Sequence, residues 1–154
     1  MKYIYLAILA GLMAGCAKPA PIVVDPVLAP YFASFSQNIG VDTSGISAGF
    51  ANTETTPNPL GEVIGECNSY SDGTRTIQID SDFWANATDD QREQVMYHEL
   101  SHCSMYIGHT PGYIIGGPMN NCPTSIMNPY VFGNAIDCYT NNKAYYYKEL
   151  RSHG

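Results

Sequence analysis

The sequence has few basic residues and no run of them. Its 154 residues include 7 Lys and Arg against 14 Asp and Glu, which gives a formal net charge of -7. A chain of this sign lacks the cationic surface that phosphate groups require, so nucleic acid and anionic lipid headgroups are poor partners. No internal repeat is evident, and no two cysteines have the CxxC spacing that a zinc knuckle would need.

The N-terminal segment has the pattern of an export signal. Residues 1–15 carry one Lys and then an apolar run that is too short to span a bilayer as a stable helix. The run ends in Ala14, Gly15 and Cys16, which resembles a bacterial lipobox in which the Cys becomes the lipidated N-terminus. Ala17 at the next position, rather than Asp, favours the outer membrane of a Gram-negative host. The alternative is an ordinary cleaved signal with an incidental Cys.

The remaining sequence predicts one folded domain behind a short tether. Residues 16–25 would form the lipidated Cys and a Pro-containing tether, and residues 26–154 the domain. Four cysteines fall in that domain, and an even number in an exported chain indicates two disulfides. Three pairings are possible, and free thiols or a cysteine metal site are the competing interpretation.

Hydrophobic periodicity predicts a mixed α+β domain. We expect helices at residues 26–38, 88–107 and 140–151, and strands at residues 46–52, 62–70 and 75–80. The longest helix has the clearest start, because Thr88 and Gln91 form a capping-box pattern with acidic residues between them. Gly108 is the expected end of that helix.

The longest helix carries the sequence His-Glu-Leu-Ser-His, from His98 to His102, which is an HExxH motif. Two residues four apart lie about 40 degrees from each other around a helix, so both imidazoles face the same way. They can therefore bind one metal ion, with Glu99 beside them to accept a proton from water. An apolar stripe of Met96, Leu100, Cys103 and Ile107 lies roughly opposite, so the histidines would face away from the core.

The motif and the residues after it resemble the zinc site of the metzincin metallopeptidases. In that family a third His and a tight turn containing Met come after the helix, and His109 and Met127 in Ser125-Ile126-Met127 match them here. The family places the third ligand six residues after the second His, whereas His109 comes seven after His102. The chain also resembles small bacterial lipoproteins of metallopeptidase type that carry HELxHC and a later SIMNP-like turn.

The resemblance implies a compact zincin-like domain with a small twisted sheet, an active-site helix, a Met-turn and a C-terminal helix. Zinc would be bound by His98, His102 and His109, and Tyr130 would contribute a hydroxyl to the site. An edge strand above the cleft would bind substrate, and residues 75–80 are the candidate. Because Cys103 lies on the core side of the helix, we favour the pairs Cys67–Cys103 and Cys122–Cys138.

The expected function is zinc-dependent endopeptidase activity on a peptide or protein, with Glu99 as the general base on a zinc-bound water. One alternative keeps the metal but takes a carboxylate, Glu149, as the third ligand. Another is a non-catalytic, zinc-stabilised envelope lipoprotein that acts as a binding or structural module. The last is a structural lipoprotein without metal.

Overall fold

The computed structural model describes residues 21–52, 63–130 and 132–154. The expected signal segment and Cys16 lie outside these residues. The described chain is α+β, with a three-stranded sheet and five α-helices. The helices are α1 (Ala29–Ile39), α2 (Ser81–Asn86), α3 (Asp89–Met105), α4 (Ile136–Asn141) and α5 (Lys143–Arg151), and the strands are β1 (Ile46–Ala51), β2 (Gly65–Ser69) and β3 (Arg75–Asp80).

The order of the strands corrects one expectation from the sequence. The sheet order is β1-β3-β2, with β1 parallel to β3 and β2 antiparallel to it. The segment Arg75–Asp80, expected to be the substrate-binding edge, is therefore the central strand, with both sides paired. β2 is the edge strand on one side of β3, and β1 lies on the other side, where Val24 pairs with it.

Helix α3 begins where its capping box predicts. The Thr88 hydroxyl accepts a hydrogen bond from the Gln91 backbone N–H, and the Gln91 side chain accepts one from the Thr88 N–H. The preceding short helix α2 was not expected from the sequence. The Asp80 carboxylate starts it by accepting a hydrogen bond from the Phe83 N–H at 2.8 Å, which is the preferred role of Asp before a helix.

The core lies between α3, the sheet and the flanking helices α1 and α5. Its largest fully buried side chains come from every layer, and Met96 and Leu100 are among those that α3 contributes. These residues include Leu28, Phe35, Ile46, Ile77, Ile79, Tyr97, Ile126, Met127, Tyr139 and Tyr146. None of the helices in the described part of the chain is long and apolar enough to cross a membrane.

Part of the expected tether pairs with the sheet. The Asp25 N–H donates to the Ala48 carbonyl at 2.9 Å, and the Ala48 N–H donates to the Val23 carbonyl at 2.9 Å. Val24 accordingly forms a parallel bridge with Ala48. The folded part of the chain thus includes residues 23–25, ahead of the boundary expected at residue 26.

The C-terminal helices are attached to α3 through one partly buried polar cluster. The hydroxyls of Tyr139 and Tyr147 both donate to Glu93 on α3. The Lys143 ammonium lies 3.1 Å from Glu93 and 2.7 Å from Asp90. The expected helix over residues 140–151 is interrupted at Asn142, so Tyr139 and Tyr147 reach Glu93 from two separate helices.

Two disulfides link the layers. Cys67 of β2 is bonded to Cys103 of α3, and Cys122 is bonded to Cys138 at the start of the C-terminal region. These are the two pairings that we favoured from the position of Cys103 on the core side of the longest helix. The first joins the edge strand to the helix that carries the histidines, and the second encloses the loop containing Met127.

We predict that the double substitution Cys67→Ala/Cys103→Ala lowers the free energy of unfolding by about 4 kcal/mol, since it removes a cross-link between residues 36 apart. The matched pair Cys122→Ala/Cys138→Ala, with a separation of 16, should cost about 3 kcal/mol by the same chain-entropy reasoning. Denaturant unfolding of the oxidised proteins measures both. An unchanged unfolding midpoint in either double variant would contradict the prediction.

Candidate metal centre

The HExxH motif lies in the second half of α3. His98 and Glu99 are buried, with 8% and 5% of their surface exposed, whereas His102 is half-buried. The helix places His98 and His102 one turn apart, and their Nε2 atoms are 2.9 Å from each other. Two imidazoles on one helix therefore point at a common position, as the spacing predicted.

The chain turns back after α3 in a different way from that expected. The helix ends at Met105, and Tyr106 takes the left-handed conformation with φ of 57°. The expected end at residue 107, with Gly108 in that conformation, is wrong. A β-carbon normally disfavours positive φ, so Tyr106 was not a visible stop signal.

This turn brings His109 to the two helical histidines. Its Nε2 lies 3.2 Å from the Nε2 of His98, and the ligand atoms of all three residues lie within 4.8 Å of one another. The carboxylate of Glu149, the alternative third ligand, instead lies 2.9 Å from His153 Nε2. The described residues therefore bring together three imidazoles and do not bring Glu149 to them.

Two backbone carbonyls determine how the helical imidazoles are protonated. His98 Nδ1 lies 2.9 Å from the Ile126 carbonyl, and His102 Nδ1 lies 2.6 Å from the Ile107 carbonyl. A carbonyl oxygen can only accept, so each Nδ1 carries the proton and donates. The Nε2 atoms of these two rings then present lone pairs toward each other, an arrangement common for metal-binding histidines.

A metal cation fits this arrangement better than a proton does. Two lone pairs 2.9 Å apart repel each other. Burial is the main reason that the pKa of His98 falls to about 3, and the neighbouring His102 and His109 rings lower it further. Burial also lowers the pKa of His102. Protonation near neutral pH is therefore disfavoured, and a cation shared by the Nε2 atoms would satisfy them.

The Ser-Ile-Met turn lies against this site. The Ser125 hydroxyl accepts a hydrogen bond from the Met127 N–H at 2.9 Å, and Met127 is fully buried. The Met127 carbonyl accepts one from Thr110, next to His109, at 2.8 Å. The turn thus holds both His98, through Ile126, and the His109 segment. Packing of the Met127 side chain directly beneath a metal stays a prediction.

Tyr130 is not among the residues that line the cleft beside the histidines. Its side chain is 53% exposed, and its backbone N–H donates to the Asn128 side chain at 3.1 Å. A role for its hydroxyl at the metal centre stays a prediction. Tyr106, which no sequence motif indicated, does line the cleft and is 72% exposed.

Glu99 lies between the histidines and the edge strand. The pKa of its carboxyl is raised to about 8, mainly by burial and in smaller part by the Glu66 carboxylate, with the Cys67 backbone N–H offsetting some of the rise. A bound cation nearby would favour the charged form. The carboxyl is thus in surroundings suited to both accepting and releasing a proton near neutral pH.

The cleft itself has a volume of about 450 Å³. The edge strand forms one side, and the end of α3 with the adjoining turn forms the other. It is lined by Gly65, Glu66, Cys67, Ser69, Glu99, His102, Tyr106, Ile107, Gly108 and His109. Three imidazoles and a carboxylate beside an open cleft define a metallopeptidase-like site.

One family comparison agrees with this class. A family model with the description "Putative phage metallopeptidase" matches residues 38–113. The matched segment contains all three strands, α3 and the three histidines, so the chain is similar to a metallopeptidase family across its site. No curated protein and no solved structure was found to match the chain.

We predict a pH-dependent stability difference between the metal-free protein and Glu99→Gln. The pKa of Glu99 is about 8 in the folded chain against an ordinary value of 4.5. The folded chain therefore binds the Glu99 proton more tightly than the unfolded chain does, and this tighter binding stabilises the fold. Its contribution to the free energy of unfolding is fully present below pH 4.5 and is lost as the pH rises to about 8. Since Gln does not titrate, the melting temperature of the native protein should fall relative to that of the variant across this window. Thermal unfolding in the presence of a chelator measures this, and parallel curves would contradict it.

Proposed function

We propose that this protein is a zinc-dependent endopeptidase. The observation that carries the proposal is the convergence of the Nε2 atoms of His98, His102 and His109 at a cleft that Glu99, His102 and His109 line. A purely structural zinc site normally has four protein ligands, whereas catalytic sites have three and an open position. Three imidazoles, without a fourth protein ligand in the described cluster, match the catalytic pattern.

The donor set also favours zinc. Imidazole nitrogen suits zinc and other late first-row metals, whereas magnesium and calcium prefer oxygen ligands. When bound, zinc would act as a Lewis acid that polarises a substrate carbonyl and lowers the pKa of water. The protein's own contribution has two parts. Burial keeps His98 and His102 neutral, and the Ile126 and Ile107 carbonyls hold the proton on Nδ1, so that the Nε2 lone pairs are available.

Glu99 would act as the general base and then as the general acid. Its carboxylate takes a proton from the attacking water as that water's oxygen forms a bond to the peptide carbonyl carbon. The same proton is returned to the leaving amine as the C–N bond breaks. The buried position of Glu99 shields these transfers from bulk solvent, and a non-catalytic envelope protein would have no use for such a carboxyl.

The edge strand β2 is the proposed binding site for the substrate main chain. The Asp80 N–H donates to the Ile64 carbonyl at 2.9 Å. Because hydrogen-bonding pairs alternate in an antiparallel ladder, Gly65 and Cys67 direct their backbone groups away from β3. Both residues line the cleft that holds Glu99, whose carboxyl already accepts a hydrogen bond from the Cys67 N–H, so a substrate would pair with the other outward groups of this edge. A peptide could pair there as an additional strand.

Recognition of the main chain supports an endopeptidase rather than a carboxypeptidase. Strand addition uses amide groups that are present along the whole of a peptide. A carboxypeptidase needs a cation for the terminal carboxylate, and the described residues that line the cleft include neither Lys nor Arg. The alternative of a zinc-stabilised binding module predicts the same metal site without turnover.

We predict that Glu99→Ala lowers the rate of peptide hydrolysis by about 10²–10⁴-fold, the range typical for loss of a general base. Zinc should remain bound at one equivalent, because the imidazoles are unchanged. Glu149→Ala is the matched control and should keep both zinc and activity. Hydrolysis of a quenched fluorescent peptide library, with metal analysis of each variant, measures this. Undiminished turnover in Glu99→Ala would overturn the role of Glu99.

We also propose that the protein is exported and anchored through Cys16, in the outer membrane if the host is Gram-negative. The lipobox-like sequence motivates this, and the two disulfides support an oxidising compartment. Two or three acyl chains would be sufficient for stable attachment without a spanning helix.

For this anchor, we predict that Cys16→Ser moves the protein from the membrane fraction to the soluble fraction of an expressing bacterial cell. Labelled palmitate should be incorporated by the native chain and not by the variant. Equal membrane association of both proteins would exclude the lipid anchor and leave an ordinary signal.

A further inference from the structure

The backbone of Gly65 is in unusually close contact with Glu99. A β-carbon built on Gly65 would lie 2.8 Å from Glu99 Oε1, 2.9 Å from its Cγ and 3.1 Å from its Cδ. Distances below 3.0 Å are shorter than real β-carbon contacts, so any larger residue would force something to move. Gly65 has no positive φ, so the requirement for Gly here arises from the close approach and not from the backbone conformation.

Rotation of the Glu99 carboxylate into the cleft would not relieve such a contact. Glu99 is 5% exposed, and the close atoms include its Cγ at 2.9 Å as well as the terminal Oε1, so the stem of the side chain would have to move too. One turn further along α3, Cys103 is bonded to Cys67, two residues from Gly65 in the same strand. This disulfide prevents β2 from simply shifting away from the helix, so the strain of a larger side chain would fall on Glu99.

The alternation of side chains along β2 agrees with this contact. Residues two apart in a strand face the same side of the sheet. Gly65 and Cys67 therefore share the face that meets α3, where Cys67 is bonded to Cys103 and Gly65 meets Glu99. Glu66 lies on the other face and is exposed. The strand thus presents a flat stretch of backbone to the carboxyl group.

We propose that Gly65 is a positioning residue that sets the location of the Glu99 carboxylate through direct backbone contact. Its role in turnover rests on the proposed peptidase function, whereas the contact itself does not. Substitution of Gly65 should displace the carboxylate while leaving the three imidazoles in place, because those are held by α3, the Ile107 and Ile126 carbonyls and the turn at Tyr106.

The test is a double-mutant cycle of Gly65→Ala and Glu99→Ala, read out by thermal unfolding. Gly65→Ala should lower the melting temperature when Glu99 is present. In the Glu99→Ala background, Gly65→Ala should not lower the melting temperature, because the Glu99 atoms that the new methyl group would meet are then absent. If Gly65→Ala alone does not fold, a folded double variant demonstrates the same coupling.

Gly49→Ala is the matched control. Gly49 also lies in a strand, β1, but a β-carbon there would meet nothing within 4 Å. Ala is normally more stable than Gly within a strand, so this variant should keep or raise the native melting temperature. If Gly65→Ala lowers the melting temperature equally with and without Glu99, the proposal is overturned, since the substitution would then have a general effect on β2. The absence of any loss would also overturn it.

Activity provides a separate readout. In Gly65→Ala, kcat should fall by about 100-fold, the order expected when a reacting group is misplaced by about 1 Å, with zinc content unchanged and KM little changed. Gly49→Ala should retain native kcat. Native kcat in Gly65→Ala would overturn the proposal. If the native protein hydrolyses no peptide, the peptidase function fails, and the unfolding cycle alone still decides whether Gly65 positions Glu99.

Discussion

The two hydrogen bonds from imidazole Nδ1 to backbone carbonyl are the interactions on which the site depends. Through Ile126 and Ile107 they orient His98 and His102 and leave their Nε2 lone pairs facing each other. Such an arrangement is unfavourable without a cation and favourable with one. Both carbonyls lie outside α3, so the orientation of the rings requires the turn after the helix and the Met127 turn to be folded.

Helix α3 transmits this requirement to the rest of the domain. Its buried face packs on the sheet and α1, the Glu93 cluster attaches the C-terminal helices, and the Cys67–Cys103 bond holds the edge strand against it. The same strand then forms one side of the cleft and contacts Glu99 through Gly65. The stability of the domain and the proposed catalysis therefore both depend on α3, and substitutions in β2 should affect both.

Local patterns predicted much of the site, and long-range pairing did not follow from them. HExxH on a capped helix predicted the converging pair of histidines, because helix geometry is set by near neighbours. The third histidine came from a resemblance, and His109 does approach His98.

The prediction that Arg75–Asp80 is an edge strand was wrong because strand order depends on β1 pairing with β3 across a distant connection. The helix end was wrong because Tyr106 takes a conformation usually left to Gly. Gly65 had a detectable signal, since it lies two residues before a Cys on the helix-facing side of a strand.

The most direct test of the three-imidazole site is the metal content of the oxidised domain, for the native chain and for His109→Ala, after equilibration with zinc and removal of the excess. We expect one zinc per native chain and loss or strong weakening of binding in the variant, because only two imidazoles would remain. A correctly disulfide-bonded native domain that binds no zinc would contradict this, and the converging histidines would then have no metal-binding role.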